Sequence, residues 1–355
     1  MSTQSKMKAI VFDGPRQVSL QQRPIPGIQN SHDIIVQVKA TAICGSEMHV
    51  YRGHQPSQTG FIMGHEFSGV VAAVGTSVQS VVVGDKIVSP FTVSCGKCFY
   101  CTTGSSARCV ECRLFGTPAL DGGQAEYVRV PLADGTVFKA PGTVSDEALL
   151  LMADIFPTGY YGIKSAVRLA NDVDIKDATV VVIGCGPVGL CAIVAAAHLK
   201  PRHLFAIDGV DDRLAQAQAL GAEPINYLTR DEEMTKRIKD VTNGRGADIV
   251  VEVVGLSPAL RTAFNLVRPF GTIVSIGVHN AEIPWTGNEA YGKNLKLQMG
   301  RCPVRSVFGE ALELLAEKQH LFGFMFDNVF PLEDFKYAYE LFDQAKAQKV
   351  IFKVN

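Results

Sequence analysis

The stretch that most narrows what this chain can fold into is Val180–Gly189, VVVIGCGPVG. A β-branched apolar run leads into Gly184-Cys185-Gly186-Pro187-Val188-Gly189, and an Ala-rich apolar run follows. One reading is a membrane helix, because Ala178–Ala197 carries no charge and about 20 apolar residues span a bilayer. Three glycines and a proline at its centre argue against that. Val and Ile before the turn and Ala after it read instead as a buried parallel strand, a tight turn and a buried helix.

The glycine spacing is GxGxxG. The first glycine permits the turn, the second lets backbone approach a pyrophosphate, and the third lets strand and helix pack closely. Amides opening the helix point at phosphate, and the helix dipole favours its charge. The next apolar run, HLFAID (203–208), reads as a second strand and ends in Asp208, 24 residues beyond Gly184. A carboxylate there can accept both ribose hydroxyls of NAD(H) and repels the 2′-phosphate of NADP(H). NAD(H) is therefore the expected cofactor, with NADP(H) the alternative.

At 355 residues the chain is long enough for two domains with sizeable cores. A net charge of −1 gives no electrostatic reason to expect nucleic acid or an anionic membrane as partner. The start, MSTQSKMKAI, has neither an apolar core nor a cleavage pattern, which predicts a cytoplasmic protein. Five of the nine cysteines crowd into Cys95–Cys112. In a chain that is not exported, such clustering favours metal over disulfides.

Residues 7–90 read as β-rich, with KMKAIVF, DIIVQVKATAI, FSGVVAAVG and VVVGDKIVSP as strands and no long helical period. Two stretches interrupt that pattern with chemistry: Cys44-Gly45-Ser46-Glu47-Met48-His49 and Gly64-His65-Glu66. Thiolate and imidazole are good zinc ligands, and a catalytic zinc needs three protein ligands and one open position. Alone, a single cysteine is more often a small buried apolar residue and a lone histidine a satisfied polar group. The segment Cys95-Gly-Lys-Cys98-Phe-Tyr-Cys101, followed by Cys109 and Cys112, is more specific. It predicts a closed four-thiolate zinc lobe, with either Cys109 or Cys112 as fourth ligand.

Cys44, Gly64-His65-Glu66, the cysteine run and Gly184–Gly189, in that order, closely resemble the zinc-dependent medium-chain alcohol dehydrogenases, over essentially the whole chain. The resemblance implies an α/β fold: a GroES-like β-rich catalytic domain over 1–155 carrying the structural-zinc lobe (95–112), a Rossmann doubly wound parallel sheet over 156–298 that binds NAD, and a return to the catalytic domain over 299–355. It implies an active site in the cleft between the domains. It selects Cys109 as the fourth structural ligand and leaves Cys112 spare. It also supplies the third catalytic ligand as Asp154, shortly before Thr158-Gly159, where the animal liver enzymes have cysteine and some microbial secondary-alcohol dehydrogenases have aspartate. Two Zn2+ per chain are then expected, one catalytic on Cys44, His65 and Asp154, one structural on Cys95, Cys98, Cys101 and Cys109.

The remaining roles also come from the resemblance. Glu66 is a carboxylate beside the zinc. Ser46 hydrogen-bonds the substrate oxygen and relays its proton towards His49. Thr158 and Val188 pack on the nicotinamide, Arg213 lies along the adenosine, Lys349 contacts the pyrophosphate and Phe91 lines the substrate pocket. Glu47 stands where relatives commonly have aspartate, and its partner is open. The implied activity is reversible hydride transfer between an alcohol, with a secondary one favoured, and nicotinamide, in a homodimer or homotetramer. The competing readings are a specialised carbonyl or imine reductase using NADH or NADPH, and a non-catalytic cofactor-binding scaffold.

Overall fold

The computed structural model describes residues 5–229 and 231–354. The chain divides into two compact units, Met1–Pro157 with Pro303–Asn355, and Thr158–Cys302.

The first unit is built on a mostly antiparallel sheet. Its strands run in the order Val329–Phe330, Val350–Lys353, Ile34–Ile43, Glu66–Val74, Lys86–Ser89 and Phe138–Lys139, with Tyr127–Val130 also paired to Ile34–Ile43. A separate hairpin joins Lys6–Gly14 to Gln17–Pro24. The core gathers Phe12, Ile34, Phe67, Phe115, Tyr339 and Phe352 from across the unit, so the C-terminal return is part of the same core as the first strands. Residues 7–90 are not free of helix. A single short helix, Glu47–Tyr51, follows Cys44 directly. The run VVVGDKIVSP is a strand only over Lys86–Ser89, because Gly84 takes a φ of +94° and turns the chain.

The second unit is a six-stranded parallel sheet in the order Glu223–Asn226, His203–Asp208, Thr179–Ile183, Ala247–Glu252, Val267–Ser275 and Lys296–Met299. Counted along the chain that is 3-2-1-4-5-6, the doubly wound order that places the first strand–helix turn at the point where the winding reverses. Thr179–Ile183 and Ala247–Glu252 are buried along their whole length, as strands covered on both faces must be. The apolar run that could have crossed a membrane is this strand followed by a helix of 13 residues, Pro187–Leu199. Among the described residues no helix is long and apolar enough to cross a membrane.

One long helix, Ile155–Leu169, has no clear sequence signature. Its FPTGYYG start carries proline and two glycines, which read as a turn. The glycines are there for packing. A Cβ on Gly159 would lie 2.6 Å from Ala192 N, and one on Gly162 2.9 Å from Ile276 Cδ1. The helix therefore gives up local propensity to pack closely.

The same logic gives a paired test. A Cβ on Gly69 would sit 2.1 Å from Gln37 O in the neighbouring strand, whereas Gly309, exposed in the helix Val304–Lys318, meets nothing within 4 Å. Gly69→Ala is expected to destabilise by about 2–4 kcal/mol, and Gly309→Ala to stabilise by roughly 0.5–1 kcal/mol. Thermal unfolding of both variants checks this. A Gly69→Ala protein melting with the parent would contradict the strand packing.

Candidate metal centres and nucleotide turn

Strand register brings the first set of ligands together. Ile34–Ile43 and Glu66–Val74 are antiparallel with Ala42 opposite Glu66, so Cys44 and His65, at the adjoining strand ends, come side by side. Asp154 arrives separately, at the junction between the 3-10 turn Leu151–Ala153 and the helix Ile155–Leu169. One ligand atom from each of Cys44, His65, Glu66 and Asp154 lies within 4.8 Å of the others, and all four residues are buried. Cys44 Sγ is 3.4 Å from Asp154 Oδ2, and His65 Nε2 is 3.3 Å from the same oxygen. Ligand atoms around a tetrahedral zinc are separated by roughly 3.3–3.8 Å, given bonds of about 2.0–2.3 Å. Both Asp154 separations therefore fit zinc, with the third pair within 4.8 Å.

The electrostatics also fit a cation. Burial, reinforced by Asp154, raises the Cys44 thiol above its ordinary value. Burial opposes charge on His65, yet Cys44, Asp154 and Glu47 together hold its pKa well above normal. The acidic groups thus draw a positive charge into their midst, the role a divalent ion fills. Around this set, Ser46 Oγ is 3.3 Å from Cys44 Sγ and 3.5 Å from His65 Nε2. Phe91 packs edge-on to the His65 ring, and its amide donates to Ala153 O beside Asp154. His49 is half-buried, its ring 6.2 Å from that of His54.

Lys349 is not where the pyrophosphate expectation put it. Val350 pairs with Ile43, which sets Lys349 against the end of the strand that carries Cys44. Its side chain is 1% exposed and its ammonium donates to Glu66 Oε2 and to Ile43 O. Burial opposes the charge, but Glu66, Cys44 and Asp154 keep its pKa above the ordinary value. Lys349 therefore anchors the carboxylate next to His65 and presents no charge to solvent for a phosphate. Glu66 Oε1 stays buried with no hydrogen-bond partner among the described residues.

The structure also gathers Cys95, Cys98, Cys101 and Cys109 within 4.8 Å of one another, leaving Cys112 outside. Backbone amides support the sulfurs: Cys95 N donates to Cys109 Sγ at 3.1 Å and Cys98 N to Cys95 Sγ at 3.3 Å. Amides of Val110 and Cys101 bring the Cys98 thiol down to about 6, so it is ready to bind as thiolate. The lobe's large apolar side chains, Phe99, Tyr100 and Val110, are exposed, so it has no core of its own and a metal would hold it.

In the second unit Gly184 has a φ of +96°, and a Cβ on Gly189 would lie 1.8 Å from Gly184 O, so both glycines are demanded by the turn itself. A Cβ on Gly186 would meet nothing within 4 Å. The space beside it is open, a cradle that suits a pyrophosphate. The helix Pro187–Leu199 starts there with no side-chain cap, leaving its first amides for an anion. Val188, in its first turn, is partly exposed, and Thr158 is buried. Asp208 ends the neighbouring strand. Its Oδ2 accepts from Cys185 N at 2.7 Å and its Oδ1 from the amides of Gly209 and Val210, which aim the carboxylate along the glycine turn. Arg213 stands 3.9 Å from Asp208.

Comparison with known proteins bears on this arrangement. The family described as alcohol dehydrogenase GroES-like domain matches residues 30–142, and zinc-binding dehydrogenase matches 187–317. Zinc-type alcohol dehydrogenase B of Aspergillus flavus is 57% identical over 355 residues, covering 100% of this chain and 83% of that protein. The chain belongs to the zinc-dependent medium-chain dehydrogenase family. Within that family it is also similar to the medium chain reductase/dehydrogenase ucsI of Acremonium sp, at 54% identity over 286 residues, 80% of this chain and 98% of that one. Alcohol dehydrogenase TADH from Thermus sp. ATN1 superposes with a TM-score of 0.91 at 36% identity, covering 98% of this chain and 100% of that chain. This medium-chain dehydrogenase is therefore an oxidoreductase of the zinc alcohol dehydrogenase family, and a Rossmann sheet of its kind implies a pyridine nucleotide.

Sequence reasoning missed two residues of the first site, Gln124 and Tyr339. They meet Glu47 across 77 and 292 positions of sequence, and no motif announces them.

Metal analysis of the purified protein is expected to find two zinc ions per chain. Asp154→Ala should lose one and keep the other, while Cys98→Ser should lose the second and unfold more readily. Retention of both ions by Cys98→Ser would remove the four-thiolate lobe as a metal site.

Proposed function

We propose that this protein is an NAD-dependent zinc alcohol dehydrogenase that interconverts an alcohol, preferably secondary, and its carbonyl compound. The observation that carries the reading is the convergence of Cys44, His65 and Asp154, buried, at zinc-ligand separations beside the Ser46 hydroxyl. Zinc bound there supplies a Lewis acid for the substrate oxygen, and NAD supplies the hydride acceptor.

The chain's own residues do the rest. Cys44, His65 and Asp154 would hold the metal. Ser46 Oγ sits at the rim of that ligand set, where it would hydrogen-bond the substrate oxygen and take its proton while giving up its own hydroxyl proton towards His49. His49 receives the proton further out. Burial first, then the charges of His54 and Arg52, lower the His49 pKa, so it is neutral at pH 7 and free to accept. Phe91, edge-on to His65, gives the pocket an apolar wall that suits a hydrocarbon substituent. Glu66, tied to Lys349, keeps a carboxylate against the ligand set.

On the nucleotide side, Gly184, Gly186 and Gly189 shape the pyrophosphate cradle, and the amides from Val188 onward face it. Asp208 would offer a carboxylate to the ribose hydroxyls and repel a 2′-phosphate, and Arg213, 3.9 Å from it, would meet the adenosine side. Thr158 and Val188 would contribute the surface against the nicotinamide. The reductase reading keeps the same residues and runs the reaction towards the alcohol or amine; the reductase/dehydrogenase name of the Acremonium relative favours testing it.

A panel of primary and secondary alcohols, and the matching ketones, aldehydes and imines, assayed with NAD(H) and NADP(H), tests the proposal. NAD is expected to exceed NADP at least about tenfold in kcat/KM, a difference of roughly 1.4 kcal/mol. Asp208→Ser should narrow that ratio. Asp154→Ala should lower kcat by more than the roughly 10–100-fold that loss of an outer metal partner costs. A preference for NADP, or a kcat that survives Asp154→Ala, overturns the assignment.

A further inference from the structure

Glu47 lies in the helix turn after Cys44 and is almost wholly buried. Its two oxygens have different surroundings. Oε2 is 3.7 Å from His65 Nδ1 and has no hydrogen-bond partner among the described residues. Oε1 accepts from Gln124 Nε2 at 2.9 Å. Gln124 Nε2 also faces Ala42 O at 3.4 Å, and Gln124 Oε1 accepts from the Tyr339 hydroxyl at 2.7 Å. That leaves one consistent orientation of the amide. Its NH2 group must face the two acceptors, a carboxylate and a carbonyl, so its oxygen must take the tyrosine proton.

The chain of contacts therefore runs Tyr339, Gln124, Glu47, His65, with every member buried. Gln124 is itself clamped. Its amide donates to Met63 O and its carbonyl accepts from Ile10 N, in extended pairing beside Gly64-His65. Gly64 has a φ of +92°, and a Cβ there would lie 2.4 Å from Gln124 Cγ. The residue preceding His65 is thus kept bare so that Gln124 can reach past it. Tyr339 comes from the helix Phe335–Asp343 of the C-terminal return and packs at a tilt, 5.0 Å between ring centres, on Tyr51, the last residue of the Glu47 helix. Burial first, then Glu47, push the Tyr339 hydroxyl well above its ordinary value, so it stays a proton donor.

His65 presents its other nitrogen, Nε2, to Asp154 and Ser46. A ring that ligates through Nε2 must carry its proton on Nδ1, and an acceptor on that side fixes tautomer and orientation. We propose that Tyr339 and Gln124 are positioning residues that hold the Glu47 carboxylate against His65 Nδ1 and so set the grip of the first site on its metal. The longer glutamate requires this brace: with one more rotatable bond, its Oε2 would otherwise not be restricted to the imidazole side. The C-terminal return acts on the ligand set through this hydroxyl.

The proposal rests on Cys44, His65 and Asp154 binding zinc, and its test is chosen to be read without alcohol oxidation. The zinc-loaded protein is mixed with excess chelator and zinc release is followed with a metallochromic dye. The phase absent from Asp154→Ala reports the first site, and the other phase reports the cysteine lobe. Tyr339→Phe and Gln124→Met, which keep ring and volume, should speed the first phase about tenfold and leave the second unchanged, within the range known for outer partners of metal ligands. Glu47→Gln should do the same, and adding Tyr339→Phe to it should bring no further acceleration, because Tyr339 acts through Glu47. A merely structural role predicts the opposite pattern: a lowered melting temperature and both phases accelerated. Release from Tyr339→Phe at the parent rate, or additive effects of Tyr339→Phe and Glu47→Gln, overturns the proposal. If the two-phase release is seen but no alcohol is oxidised, the enzymatic reading fails while this one stands.

Discussion

Cys44, His65, Glu66 and Lys349 come together at the first site through the antiparallel pairing of Ile34–Ile43 with its two neighbours. On one side Glu66–Val74 sets Ala42 opposite Glu66, and on the other Val350–Lys353 sets Ile43 opposite Val350. Cys44, His65 and Lys349 lie just beyond those pairs. A slip of one residue would turn each strand's side chains to the other face. Three residues far apart in sequence therefore reach one point because backbone hydrogen bonds along a buried sheet allow a single register.

The charge balance at that point explains why the register matters. Glu47, Glu66 and Asp154 and the Cys44 thiol are all buried, and Lys349 is a buried ammonium among them. Burying unpaired carboxylates is costly, by several kcal/mol per ion. Lys349 meets one of them. The remaining acceptors, including Glu66 Oε1 and Glu47 Oε2, which have no hydrogen-bond partner among the described residues, make a site whose natural counterpart is a divalent cation. The residue expected at a pyrophosphate is paired with Glu66 instead, because the strand it precedes, Val350–Lys353, is hydrogen-bonded on both sides.

The second unit rests on a different constraint, close approach of backbone. Gly159, Gly184 and Gly189 each exclude a Cβ by contact with neighbouring backbone or side chains, whereas Gly186 excludes nothing and faces open space. The same residue type thus does two jobs: it permits packing at Gly159 and at two glycines of the motif, and it leaves open space at the third, Gly186.

Much of this was legible in the linear sequence. The GxGxxG turn, the alternation of strands and helices after it, Asp208 and the clustered cysteines are local patterns, set by periodicity and short spacing. Asp154 was legible only through family resemblance, since a lone aspartate before a helix has no distinctive spacing. The helix Ile155–Leu169 was hidden because its glycines obey packing rather than propensity. The burial of Lys349 and the Tyr339–Gln124–Glu47 chain could not be read at all. A lysine, a glutamine and a tyrosine look the same in sequence whether they face water or a metal ligand. Only the pairing of strands far apart in the chain decides which of them lose their water, and a polar group without water must find a partner in the protein.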